Sequence, residues 1–253
     1  MLNKMIEKYA IEEVVQNDIG CSGDQVYFLK SKNKNYYLKL SKKDEIIQEA
    51  KVGQFLKDKI PVPKTIEYGR YEQGYYFLKE ELPGKVLYEL LEKDVMGTIE
   101  IYANTLKQLH QITIKDFPYQ RDLKSILQSL PDQFDSIDLD EVEPITKQRG
   151  LQKTYERLCE LLPKQLDLVI SHGDYCMPNV IVGKEIGLID LGKTAIDDRY
   201  NDLALGLRSL KYNLHLIGIE DSKKYLLYFL NTYGITDLDR NKIEFYYLLD
   251  EFF

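Results

Sequence analysis

The side chains best suited to chemistry lie in the stretch SHGDYCMPNVIVGKEIGLIDLG, residues 171–192. It holds two carboxylates, Asp174 and Asp190, with the amide of Asn179 between them. A carboxylate can accept the proton of a hydroxyl group, and side-chain oxygens are the ligands that Mg²⁺ prefers. Phosphoryl transfer needs little covalent help from a protein beyond positioning and charge stabilisation. The stretch therefore predicts transfer of a phosphoryl group to a hydroxyl.

The spacing of these residues is that of the catalytic loop of protein kinases. His172, Asp174 and Asn179 reproduce a His-x-Asp that is followed five residues later by Asn. Further along, Asp190-Leu191-Gly192 resembles the magnesium-binding Asp-Phe-Gly turn, with Leu in the middle. The apolar runs LVIS and IGLID flank the loop like strands, which predicts Asp174, Asn179 and Asp190 at adjacent strand ends. The alternative is a hairpin whose polar residues only cap turns.

Chemistry of this kind also needs a strand lysine that a helix glutamate orients. Lys39 lies in NYYLKL, and Glu49 follows ten residues later in a predicted helix. Strand alternation puts Lys39 and Tyr37 on one face, opposite the apolar side chains of the strand. The lysine would then face the phosphates while Tyr37 lies against the adenine. A solvated lysine with an unrelated glutamate is the alternative.

A phosphate loop is predicted at residues 20–26, GCSGDQV, although only Gly20 and Gly23 match a glycine-rich pattern. Two glycines with Ser22 between strands can bring backbone N–H groups to a phosphate. A plain hairpin turn explains the same residues.

The first 80 or so residues are mostly strand-like. The segments rich in aromatic and aliphatic residues are 25–29, 35–40 and 75–79. Residues 44–58 are typical of a helix that Asp44 caps. The opening residues, 1–15, also indicate a helix.

The remainder is mostly helical. Apolar residues recur at helical spacing around 99–109 and 203–214, and a third helix is predicted over 221–233. We therefore predict an α+β protein with a small β-rich N-terminal lobe, residues 1–82, that binds nucleotide. Residues 83–253 would form a larger, mostly helical lobe that carries the catalytic and substrate-binding groups.

Composition excludes several classes of function. The 253 residues carry a net charge of −7, which argues against nucleic acid as a partner because phosphate neutralisation needs a basic face. No apolar run approaches the roughly 18 to 20 residues of a membrane helix. The three cysteines stand far apart without a CxxC pair, which indicates neither a disulfide framework nor a zinc site. We expect a cytoplasmic protein, a monomer or weak dimer.

The sequence favours a small cationic substrate. After Gly192 only KTAIDDRYNDLAL precedes the next helix, too little for a peptide-binding platform. Residues 131–143 hold six acids and no base, and Asp250, Glu251 and the carboxyl end at Phe253 gather at the C-terminus. Such clusters would orient a polyamine by charge-assisted hydrogen bonds. A solvated loop and a frayed acidic terminus are the alternatives.

Along nearly its whole length the chain resembles the aminoglycoside 3'-phosphotransferases. The pieces that carry the resemblance are YYLK, IPVPK, FPY, SHGDYCMPN, LIDLGKTAIDDRYNDLAL and the terminal YYLLDEFF. The resemblance implies a two-lobed protein-kinase-like fold, ATP and Mg²⁺ as cofactors, and inactivation of kanamycin-type and neomycin-type antibiotics in bacteria.

The resemblance also implies residue roles. Asp174 would be the catalytic carboxylate, and Asn179 and Asp190 would hold Mg²⁺. Five sets of residues would bind the nucleotide or orient a residue that does. They are Ser22 in the phosphate loop, Tyr37 against the adenine, Lys39 at the phosphates with Glu49 beside it, and the hinge backbone at Glu80 and at Leu82.

Other positions match the family's binding and support residues. The acidic drug-binding positions would be Asp140, Glu143, Asp250, Glu251 and the carboxyl end at Phe253. Arg208 corresponds to an arginine near the catalytic loop that supports it, and Asp202 would brace the same loop. Two other functions stay open: a kinase of another small hydroxyl compound, such as choline, a macrolide or a sugar alcohol, and a catalytically silent nucleotide-binding module.

Overall fold

The computed structural model describes residues 1–17, 24–140 and 142–252. Within them the strands are β1 (Ile11–Asn17), β2 (Gln25–Ser31), β3 (Asn35–Ser41), β4 (Thr65–Tyr71), β5 (Gly74–Glu80), β6 (Lys85–Val86), β7 (Leu168–Ser171), β8 (Val180–Val182), β9 (Ile186–Leu188) and β10 (Ala195–Asp198). The helices are α1 (Leu2–Lys8), α2 (Glu45–Leu56), α3 (Val95–His110), α4 (Leu123–Ser129), α5 (Pro144–Arg149), α6 (Leu151–Leu161), α7 (Tyr200–Leu216), α8 (Lys223–Tyr233) and α9 (Arg240–Asp250).

The chain divides into two compact units. The first comprises Met1–Leu90 and Pro178–Thr194, and the second comprises Leu91–Met177 and Ala195–Phe253. The chain thus enters the first unit twice, and the second passage brings β8 and β9 with it. The lobes expected at residues 1–82 and 83–253 remain a prediction.

A five-stranded antiparallel sheet, in the order β1-β2-β3-β5-β4, forms the body of the first unit. The side chains of β3 alternate as predicted, with Tyr37 and Lys39 partly exposed on one face. The other face contributes to an apolar core whose buried members are Met5, Leu29, Tyr36, Leu38, Leu40 and Leu78. Burial of this face fixes the register of the strand, because a one-residue slip would turn Lys39 into the core.

Helix α2 lies where the sequence predicts a helix, with Asp44 at the N-cap position. The Asp44 side chain makes no capping hydrogen bond to the helix. The buried face of α2 includes Glu49 and Gly53. A Cβ at Gly53 would lie 3.1 Å from the Thr65 hydroxyl, so glycine allows the helix to approach the sheet closely.

The prediction of a helix over residues 1–15 is only partly right. The helix ends at Lys8, Ala10 adopts φ 49°, and Ile11–Asn17 forms β1 instead. β1 pairs antiparallel with β2, so hydrogen bonding to a neighbouring strand outweighs the local pattern.

A small sheet, β6-β8-β9, completes the first unit and brings two predicted metal ligands together. β8 and β9 are antiparallel, with Val180 opposite Leu188. Asn179 therefore precedes one strand where Asp190 follows the other, and the Ile189 N–H donates to the Asn179 carbonyl at 3.0 Å. The prediction of adjacent strand ends is thus confirmed for this pair. It is wrong for Asp174, because the strand before it, β7, pairs with β10 in the second unit.

The second unit is mainly helical, as the sequence predicts. The helices expected around 99–109, 203–214 and 221–233 are α3, α7 and α8. Tyr102 of α3 stacks on Tyr175, with ring centroids 4.6 Å apart, and both rings are fully buried. The Tyr175 hydroxyl donates to the Tyr102 carbonyl at 2.6 Å. The loop that carries Asp174 is thereby packed against α3.

None of the helices in the described parts of the chain combines the length and the apolar character that crossing a bilayer requires.

Candidate active site

Lys39 lies at the centre of an ionic cluster in the first unit. Its Nζ is 2.8 Å from Oε2 of Glu49 and 2.7 Å from Oδ1 of Asp190. β3 presents Lys39 on the face opposite the apolar core, and α2 buries Glu49 beside it. The ion pair predicted between Lys39 and Glu49 is present, and Asp190 joins it from 151 residues further along the chain.

The charges in this cluster stabilise one another. Burial opposes protonation of Lys39, but the charges of Glu49 and Asp190 outweigh it and raise the lysine pKa. Burial likewise opposes ionisation of Glu49, yet Lys79 and Lys39 together lower the pKa of its carboxyl group. Lys39 is therefore a fixed positive charge, as contact with phosphate oxygens requires.

Lys79 is a member of the cluster that sequence reasoning missed. Its ammonium group lies 2.5 Å from Oε1 of Glu49, and only 7% of the residue is exposed. In the sheet, Lys79 is the β5 partner of Tyr37, which places it on the same face as Lys39. The alternation in YYFLK could have indicated that Lys79 shares a face with Phe77 but not that it reaches Glu49.

The residues present fit a magnesium ion held together with a nucleotide. Asp190 adopts φ 61° and ψ 57°, a left-handed conformation that costs an aspartate of the order of 1 kcal/mol and is concentrated at functional sites. Ile189, the residue before Asp190, is joined to Asn179 by a backbone hydrogen bond. No group of three His, Cys, Asp or Glu side chains able to hold a metal occurs among the described residues. One carboxylate, one amide and phosphate oxygens are a donor set that suits Mg²⁺.

The loop that carries Asp174 is braced by a buried carboxylate, as the resemblance implies for Asp202. The His172 N–H donates to Asp202 Oδ2 at 2.7 Å, and the Gly173 N–H donates to Oδ1 at 2.9 Å. Nε2 of His110 lies 2.8 Å from the same Oδ2. Burial opposes ionisation of Asp202, but the hydrogen bond and charge of His110 outweigh it and lower the carboxyl pKa. Asp202 thereby fixes the backbone just before Asp174.

Three further predicted nucleotide residues, Tyr37, Glu80 and Leu82, lie in β3, at the end of β5 and just after β5. The Tyr37 ring is 5.3 Å from that of Phe28 and is partly exposed. The Glu80 N–H donates to the Lys64 carbonyl at 2.9 Å, and its carboxylate pairs with Lys34 at 2.8 Å. Leu82 follows β5 in a segment without regular structure. Their contacts with adenine remain a prediction.

The acidic residues predicted to bind substrate differ in their surroundings. Glu251 is nearly buried, with 6% of its side chain exposed, and Oε2 accepts the Glu143 N–H at 2.7 Å. Asp140 is 98% exposed and pairs with Lys147 at 3.2 Å. The Glu143 backbone is thus hydrogen-bonded to Glu251, whereas Asp140 is exposed to solvent where it pairs with Lys147.

Arg208, on α7, contacts both acids at the end of α9. Its guanidinium forms ion pairs with Asp250 and, at 3.5 Å, with Glu251. Burial opposes the charge on Arg208, but Asp250 and Glu251 outweigh it and raise the arginine pKa. Support of the catalytic loop by Arg208 remains a prediction.

Two groups of predicted residues lie outside the described residues. They are Gly20, Ser22 and Gly23 of the predicted phosphate loop, whose last two residues, Gln25 and Val26, begin β2, and the carboxyl end at Phe253.

Comparison with known proteins identifies the family to which the chain is similar. Residues 13–246 match the model of the phosphotransferase enzyme family. An aminoglycoside 3'-phosphotransferase of Niallia circulans is 32% identical, with 99% of this chain and 96% of that protein aligned. Another, from Enterococcus faecalis, is 31% identical over 100% of this chain and 97% of that protein.

Solved structures show the same fold. The crystal structure of an aminoglycoside-3'-phosphotransferase of type VIII superposes with a TM-score of 0.84 at 26% identity, covering 100% of this chain and 97% of that chain. The phosphotransferase APH(3'')-Id of Streptomyces rimosus, in complex with ADP and streptomycin, has a TM-score of 0.74 at 23% identity, over 93% of this chain and 94% of that one. At that identity the likeness supports the fold alone.

A kinase-like α+β fold with a braced His-x-Asp loop and a paired strand lysine defines a phosphotransferase. Because the family match covers most of the chain and the curated relatives align along its full length, the chain belongs to the aminoglycoside 3'-phosphotransferases of the phosphotransferase enzyme family.

Proposed function

We propose that this protein transfers the terminal phosphoryl group of ATP, with Mg²⁺, to the 3'-hydroxyl of an aminoglycoside antibiotic. The observation that carries the proposal is the ionic cluster of Lys39, Glu49 and Asp190, in which Lys39 lies between the buried carboxylate of Glu49 at 2.8 Å and the exposed carboxylate of Asp190 at 2.7 Å. A structural ion pair would need only one carboxylate. A lysine that also meets an exposed carboxylate in a strained conformation is suited to a metal-bound polyphosphate.

Each residue of the site has a proposed role in the reaction. Lys39 binds phosphate oxygens and Glu49 orients it. Asn179 and Asp190 hold Mg²⁺, which when bound neutralises phosphate charge. Asp174 accepts the proton of the attacking hydroxyl, and Asp202 keeps the backbone before Asp174 in place through the His172 and Gly173 N–H groups.

For the nucleotide, we propose that Tyr37 lies against the adenine ring and that Ser22 serves the phosphates. The Glu80 N–H is already bonded to the carbonyl of Lys64, the residue before β4, so the Glu80 carbonyl and the Leu82 N–H are the proposed contacts to the adenine edge.

For the substrate, we propose that ammonium groups bind the acidic side chains of the second unit and the carboxyl end at Phe253. Asp140 and Glu143 are exposed and Asp250 is partly exposed, while Glu251 also holds Glu143 in place. Arg208 offsets part of this negative charge and fixes the carboxylates before the substrate arrives, which lowers the ordering cost of binding.

The test is a substrate panel with purified protein, ATP and Mg²⁺. We expect ADP release to depend on kanamycin or neomycin and the product to carry phosphate on the 3'-oxygen, as read by NMR. An aminoglycoside that lacks the 3'-hydroxyl is the matched control and should give no turnover. Turnover with choline, a macrolide or a sugar alcohol alone would contradict the proposed substrate. If resistance is the biological role, expression in the bacterial cytoplasm should protect cells from the same drugs.

The role of Asp174 is tested by Asp174→Ala. Loss of a general base costs about 10²- to 10⁴-fold, so turnover should fall at least 100-fold. ADP affinity, measured by calorimetry, should stay within twofold of the wild type because Asp174 is proposed to act on the hydroxyl. Retention of more than a tenth of the rate would remove Asp174 from the mechanism.

A further inference from the structure

Glu49 is bound by two lysines at once. Lys39 contacts Oε2 at 2.8 Å, and Lys79 contacts Oε1 at 2.5 Å. Phosphoryl transfer of the kinase type requires one lysine on this glutamate. The second lysine comes from the neighbouring strand β5, and its ammonium group also lies 5.6 Å from the centre of the Phe77 ring.

The cluster is electrically balanced as it stands. Lys39 and Lys79 supply two positive charges, and Glu49 and Asp190 supply two negative charges. Glu49 is 3% exposed, so water cannot compensate its carboxylate if a lysine leaves. If Lys39 moves away, the buried Glu49 carboxylate therefore loses part of the positive charge that compensates it.

Nucleotide binding, which the proposed function requires, would engage Lys39 with phosphate oxygens. We infer that Lys79 is a positioning residue for this step: it holds and neutralises the Glu49 carboxylate, so that Lys39 can turn to the nucleotide without leaving a buried negative charge uncompensated. Lys79 acts through Glu49, since only 7% of it is exposed and its ammonium lies against that carboxylate.

The electrostatics of the buried pair agree with this role. Burial lowers the pKa of Lys79, and the nearby charge of Glu49 acts in the opposite direction. The charge of Lys79 is the largest of the influences that lower the pKa of Glu49, ahead of that of Lys39. Loss of Lys79 would therefore tie Lys39 more closely to Glu49.

The experiment compares ADP affinity, measured by calorimetry with Mg²⁺ and without aminoglycoside, in the wild type and Lys79→Met. We expect the affinity of Lys79→Met to fall about tenfold, and the KM for ATP to rise accordingly, with the aminoglycoside KM within twofold. Lys30→Met is the matched control, because Lys30 is a strand lysine in the same sheet whose pair with Glu13 is exposed. It should leave ADP affinity unchanged.

A double variant separates positioning from simple support of the fold. A neutral side chain at position 49 needs no second cation, so Glu49→Gln with Lys79→Met should match Glu49→Gln alone in ADP affinity. The comparison also serves if Lys79→Met fails to fold, because the double variant leaves no buried carboxylate unpaired. If the ADP affinity of the double variant were more than threefold below that of Glu49→Gln alone, the inference would be overturned.

The inference and the proposed function fail in different ways. If Lys79→Met is less thermostable but keeps wild-type ADP affinity, Lys79 is merely structural and the inference is wrong, while the proposed function stands. If the wild type binds ADP but does not phosphorylate an aminoglycoside, the substrate proposal fails and the affinity comparison still decides the role of Lys79. Absence of ADP binding by the wild type would overturn both.

Discussion

Asp202 shows how one buried carboxylate can determine the geometry of a catalytic loop. It is completely buried, yet it accepts two backbone N–H groups, from His172 and Gly173, and contacts a ring nitrogen of His110. Gly173 has φ 82°, a conformation that favours glycine. The side chain of Asp202 thus satisfies donors that would otherwise be buried without partners, at the residues that precede Asp174.

We predict that Asp202→Ala lowers both stability and turnover. Each buried N–H left without an acceptor costs about 1 to 3 kcal/mol, so the free energy of unfolding should fall by about 3 kcal/mol or more. Urea unfolding and the steady-state rate measure the two effects. Asp122→Ala is the control: Asp122 also accepts two backbone N–H groups, but at an exposed helix N-terminus. Its loss should cost about 1 kcal/mol and leave the rate unchanged. An equal loss of rate in both variants would contradict the bracing role.

At the scale of elements, the C-terminal end of α9 positions Glu143, the residue before α5. Glu251 follows α9 and accepts the Glu143 N–H across 108 residues of sequence. The next residue, Phe252, is 3% exposed and stacks on Phe134 with ring centroids 5.7 Å apart. Phe252 is therefore part of the packing, and a deletion from Asp250 onward would remove this core side chain together with the carboxylates.

Point variants consequently distinguish the role of the carboxylates from the role of Phe252 in packing better than a deletion does. We predict that Glu251→Ala raises the aminoglycoside KM about tenfold and leaves the ATP KM within twofold, because the loop with Glu143 loses its tether. Glu251→Gln, which retains an acceptor oxygen, should show a smaller rise. Hydrogen exchange of the Glu143 amide should accelerate in the alanine variant. Glu244→Ala on the same helix is the control, since Glu244 pairs with Arg157 at a partly exposed site. A larger effect on ATP than on the drug would contradict this assignment.

For the whole molecule, the charge of one buried residue makes stability depend on pH. Asp197, on β10, is 1% exposed, and Oδ1 accepts the Asp198 N–H at 2.7 Å and the Tyr246 hydroxyl at 3.3 Å. Burial raises the pKa of Asp197 from 3.8 to about 6, although the nearby charge of Arg121 acts against the shift. The folded state therefore binds this proton more tightly than the unfolded chain does.

The sign of the effect follows from linkage. The contribution of Asp197 is fully present below its unfolded pKa of 3.8 and is lost as pH rises through about 6. A shift of about two pH units corresponds to about 3 kcal/mol. We predict that, between about pH 4 and pH 7, the wild type loses up to this amount of unfolding free energy relative to Asp197→Asn. Urea unfolding of both proteins at several pH values measures it, and a constant difference across that range would refute the shift.

The sequence by itself determined the class of chemistry, the α+β composition and the face on which Lys39 lies. These features are local: the spacing from His172 to Asn179 lies within one loop, and strand alternation needs only neighbouring residues. Glu49 was assigned from its place ten residues after Lys39 in a predicted helix, whereas Asp202 was assigned as a support through the resemblance. The extent of α1 was mispredicted, since pairing of β1 with β2 decides where the helix ends.

Only the tertiary structure decided which partners these side chains meet. Asp190 joins Lys39 across 151 residues, Lys79 joins Glu49 across 30, and Glu251 holds Glu143 across 108. The physical reason is that each contact joins residues far apart in the sequence, so the partner is chosen by how strands and helices pack. A one-dimensional pattern records which groups are present, whereas packing determines which of them neutralise one another.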